Sequence, residues 1–214
     1  MTNGFVLSAT LDKKYYTSAM LLIDSILDYY KDANITLFTE ERFVNSSDKK
    51  YVNIVTDCPI NERTKLYSLY NTSYDLCCYL DADMECVNSD IENVFDELGN
   101  YDIALTKIRE YAASQYYFNH GYDNLTWHCG MFIFRKDINW FMKMWWENYN
   151  LQISNPEKFI DKPDNIKRWD QYTFWYLNKK YKLKIKELDA RWNFVHLYKK
   201  EETEKEIVLL HHTI

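Results

Sequence analysis

Asp75-Leu76-Cys77-Cys78-Tyr79-Leu80-Asp81-Ala82-Asp83-Met84 is an apolar run of strand length that stops at two aspartates separated by one residue. The run predicts a buried strand, and an acidic pair at the carboxyl end of a strand lies where open α/β sheets hold their ligands. Two hard carboxylate oxygens this close repel each other unless a cation shares them. Mg2+ and Mn2+ accept such ligands while keeping positions open for phosphate oxygens. The pair therefore predicts a metal-bound phosphate ligand at this end of a sheet.

On the amino-terminal side, Phe5 to Thr10 reads as a short buried strand and Asp12 to Tyr16 as the turn into a helix. In that helix Ala19, Leu22, Ile23, Ile26 and Tyr30 recur at three- and four-residue spacing and give one apolar face. Ile35 to Phe38 and Tyr51 to Val55 predict two more strands, and Arg63 to Tyr70 a helix that leads into the aspartate-bearing strand.

On the carboxyl side, Ser89-Asp90-Ile91-Glu92 has the spacing of a capping box. Ile91, Val94, Phe95 and Leu98 then supply the apolar face of a short helix. Asp102 to Thr106 and Cys129 to Phe134 predict strands, and between them Lys107 to His128 is polar and tyrosine-rich without a period, as expected of a substrate-covering loop. Asp137 is placed to cap a helix whose Trp140, Phe141, Met144 and Trp145 form a buried stripe. Pro156 and Pro163 mark a linking loop. A further helix is expected over Arg168 to Lys180, with Trp169, Tyr172, Trp175 and Tyr176 on one aromatic face. Leu183 to Ile185 and Ile207 to Leu210 predict the last strands, the second ending in His211-His212. Strands alternating with helices predict one α/β domain over residues 1–214, with a mostly parallel sheet flanked by helices.

Composition narrows the function classes. With 214 residues, 47% hydrophobic and 27% charged, the chain is globular in composition, and no apolar run approaches the roughly 18 residues of a membrane span. Met1 to Gly4 carries no basic region followed by an apolar segment, so a cytoplasmic location is expected. A net charge of -6 and a pI near 5.4 argue against a nucleic-acid partner. The five cysteines form no zinc-type pair and no disulfide framework, and are expected as reduced, mostly buried thiols. Aromatic residues make up 17%, including 19 Tyr, enough to supply stacking surfaces for bases and sugars as well as a core.

The order of motifs resembles the glycosyltransferases of the GT-A fold, and most closely the glycogenin-like branch. Phe5-Val6-Leu7-Ser8-Ala9-Thr10-Leu11-Asp12 resembles that family's opening nucleotide-binding strand and turn, and Thr64-Lys65-Leu66 its lysine-bearing helix. Tyr79-Leu80-Asp81-Ala82-Asp83 resembles the metal motif, and His128-Cys129-Gly130-Met131-Phe132-Ile133 the glycine-bearing strand after it. Trp169-Asp170-Gln171 resembles the Asp-Gln pair, and Leu209-Leu210-His211-His212 the late histidine. The chain is also similar to glycosyltransferase domains of large chlorella viruses associated with capsid glycans. The family's Gly followed by Lys-Pro-Trp after the late histidine is missing, since the sequence ends at Ile214, and its phosphate contacts have no counterpart assigned here.

The resemblance implies a single GT-A domain that moves a hexose or deoxyhexose from a UDP-sugar to a hydroxyl on a glycan or glycoprotein. Asp83 and His211, with Asp81 directly or through water, would hold Mn2+ or Mg2+; an imidazole suits Mn2+ better. Lys65 would add positive charge at the diphosphate. Ala9, Thr10 and Leu11 would face the base, with Tyr15 or Tyr16 stacking on it. Asp170 and Gln171 would act beside the anomeric carbon, leaning to retention of configuration. His128 and Arg109 are further candidates for sugar contacts. Two other readings stand beside this one. A sugar-phosphate nucleotidyltransferase would be expected to have a Gly-rich loop after the first strand, and none lies between Ala9 and Tyr16. A carbohydrate-binding module has no need of an acidic pair, a helix lysine and a strand-end histidine together.

Overall fold

The computed structural model describes residues 1–107, 127–158, 170–195 and 203–212. Strand β1 (Asn3–Ala9) lies inside a seven-stranded sheet, parallel to β2 (Ile35–Thr39) on one side and to β4 (Leu76–Leu80), the central strand, on the other. The sheet order is β3-β2-β1-β4-β7-β6-β8, with β3 at Asn53–Val55, β6 at Ile103–Lys107, β7 at Trp127–Arg135 and β8 at Ile185–Glu187. Only β7 runs against its neighbours, pairing antiparallel with β4 and with β6. The expected mostly parallel sheet is thus present.

Parallel strands need crossover segments, and these cover both faces of the sheet. Alternate side chains of one strand point to opposite faces. Cys78 and Leu80 of β4, with Phe5 and Leu7 of β1, pack beneath helix α1 (Lys13–Tyr29), which buries Tyr16, Ala19, Leu22, Ile23 and Ile26. Cys77 and Tyr79 pack on the other face, beneath α2 (Thr64–Tyr70), α3 (Asn139–Ser154) and α4 (Asp170–Tyr181). This two-sided burial is why β4 reads as a continuous apolar run. All five cysteines are free, and all but the half-buried Cys58 are buried, as expected.

A second sheet of three strands was not foreseen. β5 (Met84–Cys86) follows the acidic pair immediately and pairs antiparallel with β10 (Leu209–His211), which in turn pairs with β9 (Phe194–Val195). Its strands are too short to show a period.

Several local expectations are corrected. The cap of the segment at Ser89–Leu98 is Asn88, whose side chain accepts from the Asp90 amide, and the segment forms 3₁₀ turns. Asp137 lies within a 3₁₀ turn, and α3 begins without a side-chain cap. Trp140 is exposed, and the buried face of α3 is Phe141, Met142, Trp145, Tyr149 and Gln152. In α4 the buried face carries Tyr172, Thr173, Phe174 and Leu177, whereas Tyr176 is exposed. The strand expected at Leu183 to Ile185 starts at Ile185. The expected substrate-covering loop with Arg109, and Pro163, Arg168 and Trp169, lie outside the described residues apart from the ends at Lys107, Trp127 and His128. Among the described residues no helix is long and apolar enough to cross a membrane.

Trp145 links this packing to the sheet end. It is fully buried against Phe132 and Phe174, and its indole N–H donates to the Asp170 carbonyl oxygen at 3.0 Å. Trp145→Ala is expected to cost about 3–5 kcal/mol, measured by urea denaturation.

Candidate active site

β1 and β4 are neighbours, yet the chain leaves β1 toward β2 and β3 before returning to β4, so strand order reverses between them. In such sheets the carboxyl ends of the two strands diverge and leave a crevice. Thr10, Leu11 and Asp12 follow β1 there, and Asp81, Ala82 and Asp83 follow β4. Because β7 is antiparallel, its first residues reach the same edge, and the Asp81 amide donates to the Gly130 carbonyl oxygen at 2.7 Å. The result is a cleft of about 750 Å³ lined by Ala9, Thr10, Leu11, Tyr15, Lys65 and Asp81 together with Asp83, Asp170, Gln171 and His211. His128 also lines it.

The small sheet decides which of the two neighbouring histidines enters. His211 of β10 sits opposite Met84 and is buried, with Nε2 at 3.1 Å from Oδ1 of Asp83. His212 points to the other side and meets Glu85 at the surface. One ligand atom from each of Asp81, Asp83 and His211 lies within 4.8 Å of the others. Two carboxylates and an imidazole suit Mn2+ well, and the compactness of the group fits a single ion.

Charge inside the cleft is tightly compensated. Burial pushes the Asp81 carboxyl above its ordinary value, against the pull of Lys65 and His211. Burial would do the same to Asp83, but the hydrogen bond and charge of His211 outweigh it and hold Asp83 low. The Asp83 hydrogen bond and the charges of Asp81 and Asp83 in turn raise His211, although burial opposes its charged form. His128 is driven the other way, down to about 3, by burial and by the nearby His211 and Lys65. It is a neutral imidazole.

Lys65, in the first turn of α2, donates to the Cys129 carbonyl oxygen at 3.0 Å, meets Asp170 at 3.0 Å and lies 3.7 Å from Asp81. Burial opposes its charge, yet Asp170 and Asp81 raise it to about 12, so it stays an ammonium. Asp170, at the start of α4, is 1% exposed and also pairs with Arg63 at 2.9 Å. Those two cations overcome burial and keep Asp170 ionised. Asp170 is therefore more than a helix-end residue, because both its oxygens are turned toward cations.

On the opposite wall, Leu11 adopts φ 75°, and its amide donates to Oε1 of the buried Glu40 at 2.6 Å. That amide is occupied within the fold, so Leu11 offers the cleft its side chain. Tyr15 lines the cleft, but Tyr16 does not: it is buried in the core beneath α1, where its hydroxyl donates to Asp48. Tyr16 is thereby removed as a stacking partner. Glu40, Arg63 and Asn193, which contacts both His128 and His211, were not foreseen. Their types are common at surfaces, and only contacts across the fold single them out. Arg63 alone carried a hint, two residues before Lys65 at the helix start.

No protein-family model matches the sequence, and no curated protein matches it. Solved structures do. The galactosyltransferase LgtC, determined with donor and acceptor sugar analogues, matches with a TM-score of 0.65 at 16% identity, over 98% of this chain and 86% of that one. Mouse xyloside xylosyltransferase 1 matches with a TM-score of 0.60 at 11% identity, over 99% of this chain and 97% of that one. A glycosyltransferase involved in glycosylation of the major capsid of PBCV-1 matches with a TM-score of 0.59 at 11% identity, over 99% and 92%. At these identities the likeness establishes the fold, which is that of the GT-A glycosyltransferases.

The ion pairs of Asp170 lead to a pH-dependent expectation. Its carboxyl is held below the ordinary value of about 3.9, so the pairs stabilise the fold above that pH. Their contribution is lost as pH falls through the folded-state value. Asp170→Asn is expected to cost about 3 kcal/mol at neutral pH, and the deficit relative to wild type should shrink on acidification from about pH 5 to pH 2. Urea denaturation across that range checks it; a deficit that is constant with pH would remove the charge role.

Proposed function

We propose that the protein is a divalent-cation-dependent glycosyltransferase that moves a hexose or deoxyhexose from a UDP-sugar to a hydroxyl of a glycan or glycoprotein, with retention of anomeric configuration. The observation that carries this reading is the convergence of Asp81, Asp83 and His211 within 4.8 Å, inside the crevice of a glycosyltransferase fold. A bound Mn2+ or Mg2+ supplies Lewis-acid charge that stabilises the departing diphosphate.

The chain's own residues divide the remaining work. Lys65 contributes a second positive charge already fixed by Asp170 and the Cys129 carbonyl, so little reorganisation is needed as negative charge develops. Asp170 acts as a fixed negative charge that favours oxocarbenium-like character in the sugar. Gln171, the next residue of α4 and part of the cleft lining, offers an amide to orient a hydroxyl. Leu11 and Tyr15 form an apolar wall for the uracil base. We extend the proposal to a viral capsid glycan as acceptor, with action in the host cytoplasm. The likeness to the PBCV-1 capsid glycosyltransferase supports that choice.

Calorimetry with UDP, GDP and CDP, with and without Mn2+, tests the site. UDP is expected to bind best and only with the metal. Asp83→Ala should weaken Mn2+ by more than about 100-fold, beyond the effect typical of outer-shell partners. Metal-independent UDP binding, or an unaffected variant, would overturn the assignment. Retention has its own readout: NMR of the product formed from a turned-over UDP-sugar should show the donor's anomeric configuration, and an inverted product rejects it.

A further inference from the structure

The buried amide of Asn193 bridges the two imidazoles of the cleft. Asn193 is 3% exposed and follows a 3₁₀ turn, Ala190–Trp192, that leads into β9. The backbone amide of Gly130 lies 3.0 Å from Nδ1 of His128 and can only donate, so that nitrogen carries a lone pair. The Asn193 side chain meets the same nitrogen at 2.9 Å and must therefore present its NH2 group, whose other hydrogen goes to the Thr106 hydroxyl oxygen at 3.1 Å. That orientation turns Oδ1 of Asn193 toward Nδ1 of His211 at 2.8 Å. A carbonyl oxygen only accepts, so His211 carries a proton on Nδ1; its Nε2, 3.1 Å from Oδ1 of Asp83, donates to that carboxylate and would offer a lone pair there once a cation displaces the proton.

A flipped amide would set Oδ1 against the lone pair of His128, and the Gly130 amide excludes it. The rings are close, 5.1 Å between centroids and nearly perpendicular. Both press on Gly130, where an added Cβ would lie 2.7 Å from Cε1 of each ring.

We infer that Asn193 is a positioning residue that anchors His211 through Nδ1–H, so that Nε2 can serve a divalent cation, and braces His128, whose Nδ1 accepts from the Gly130 amide, as an Nε2–H donor to an oxygen of the bound diphospho-sugar. The inference rests on the proposed metal and donor site for its ligands, and on the hydrogen bonds of the Gly130 amide, Asn193 and Thr106 for the proton positions. Outer-shell partners of this kind fix ring orientation and ligand basicity.

The first test needs no variant. In protein labelled with 15N histidine, long-range 1H–15N spectra recorded without metal are expected to show His128, assigned through His128→Gln, protonated on Nε2. Protonation on Nδ1 would overturn the inference. The second test separates Asn193's acceptor from its donors. Asn193→Leu removes both and should weaken Mn2+ binding about 10–100-fold in calorimetry. Asn193→Asp keeps an oxygen for Nδ1–H of His211 and should bind Mn2+ like wild type. It cannot donate to His128, but the Gly130 amide still faces His128 Nδ1, so the Nε2–H pattern should persist with a shifted Nδ1 resonance. Equal loss of Mn2+ affinity in the two variants would assign Asn193 a merely structural role and overturn the inference. If wild type binds no Mn2+, the proposed function fails, and the 15N spectra still decide the tautomers.

Discussion

Three carboxylates, Asp81, Asp83 and Asp170, are gathered at one end of the sheet, and burial of like charge at that density is tolerated only beside compensating cations. Lys65 and Arg63 are permanently charged, which leaves the cluster one positive charge short. The fold meets part of the shortage by setting His211 against Asp83. A divalent ion would meet it in full and leave a surplus of positive charge on the side open to solvent, where an anionic diphosphate would lie. Much of the surrounding architecture follows from this demand. The start of α2 delivers both cations, α4 begins at Asp170, and the small sheet sets His211 beside the acidic pair.

The sheet was legible because its strands are buried on both faces and so read as unbroken apolar runs. β1, β2, β4, β6 and β7 all announce themselves this way, and the segments between β1, β2 and β4 set a parallel arrangement from which β7 departs. Errors came where local pattern and tertiary contact disagree. Ser89 looked like a cap, but the backbone enters the turn one residue earlier and Asn88 does the capping. Trp140 and Tyr176 fit an apolar period, yet large aromatic side chains are often left partly exposed on folded proteins, and both lie exposed.

The site was legible in its charged members and silent in its neutral ones. Asp81 and Asp83 stand out because paired carboxylates at a strand end are costly without a role, and His211 because it ends a hydrophobic strand. Asn193 and Glu40 carry no such signal. Their importance is a matter of partners met across the fold, His128 and His211 for the first and the Leu11 amide for the second. Tyr15 and Tyr16 show the limit of adjacency: one helix turn places the first at the cleft and the second in the core.

β10 is a three-residue strand held between β5 and β9 by few backbone bonds, and it carries His211, the imidazole proposed as a ligand. Elements of that size open more readily than a central sheet. A cation that engages both Asp83 and His211 must release β10 before that strand can leave, so ion affinity and closure of the small sheet are linked as one reciprocal quantity. A bound ion would then serve as a latch as well as a reagent. Amide exchange along β5, β9 and β10 becomes a thermometer of site occupancy, legible even in the absence of any turnover.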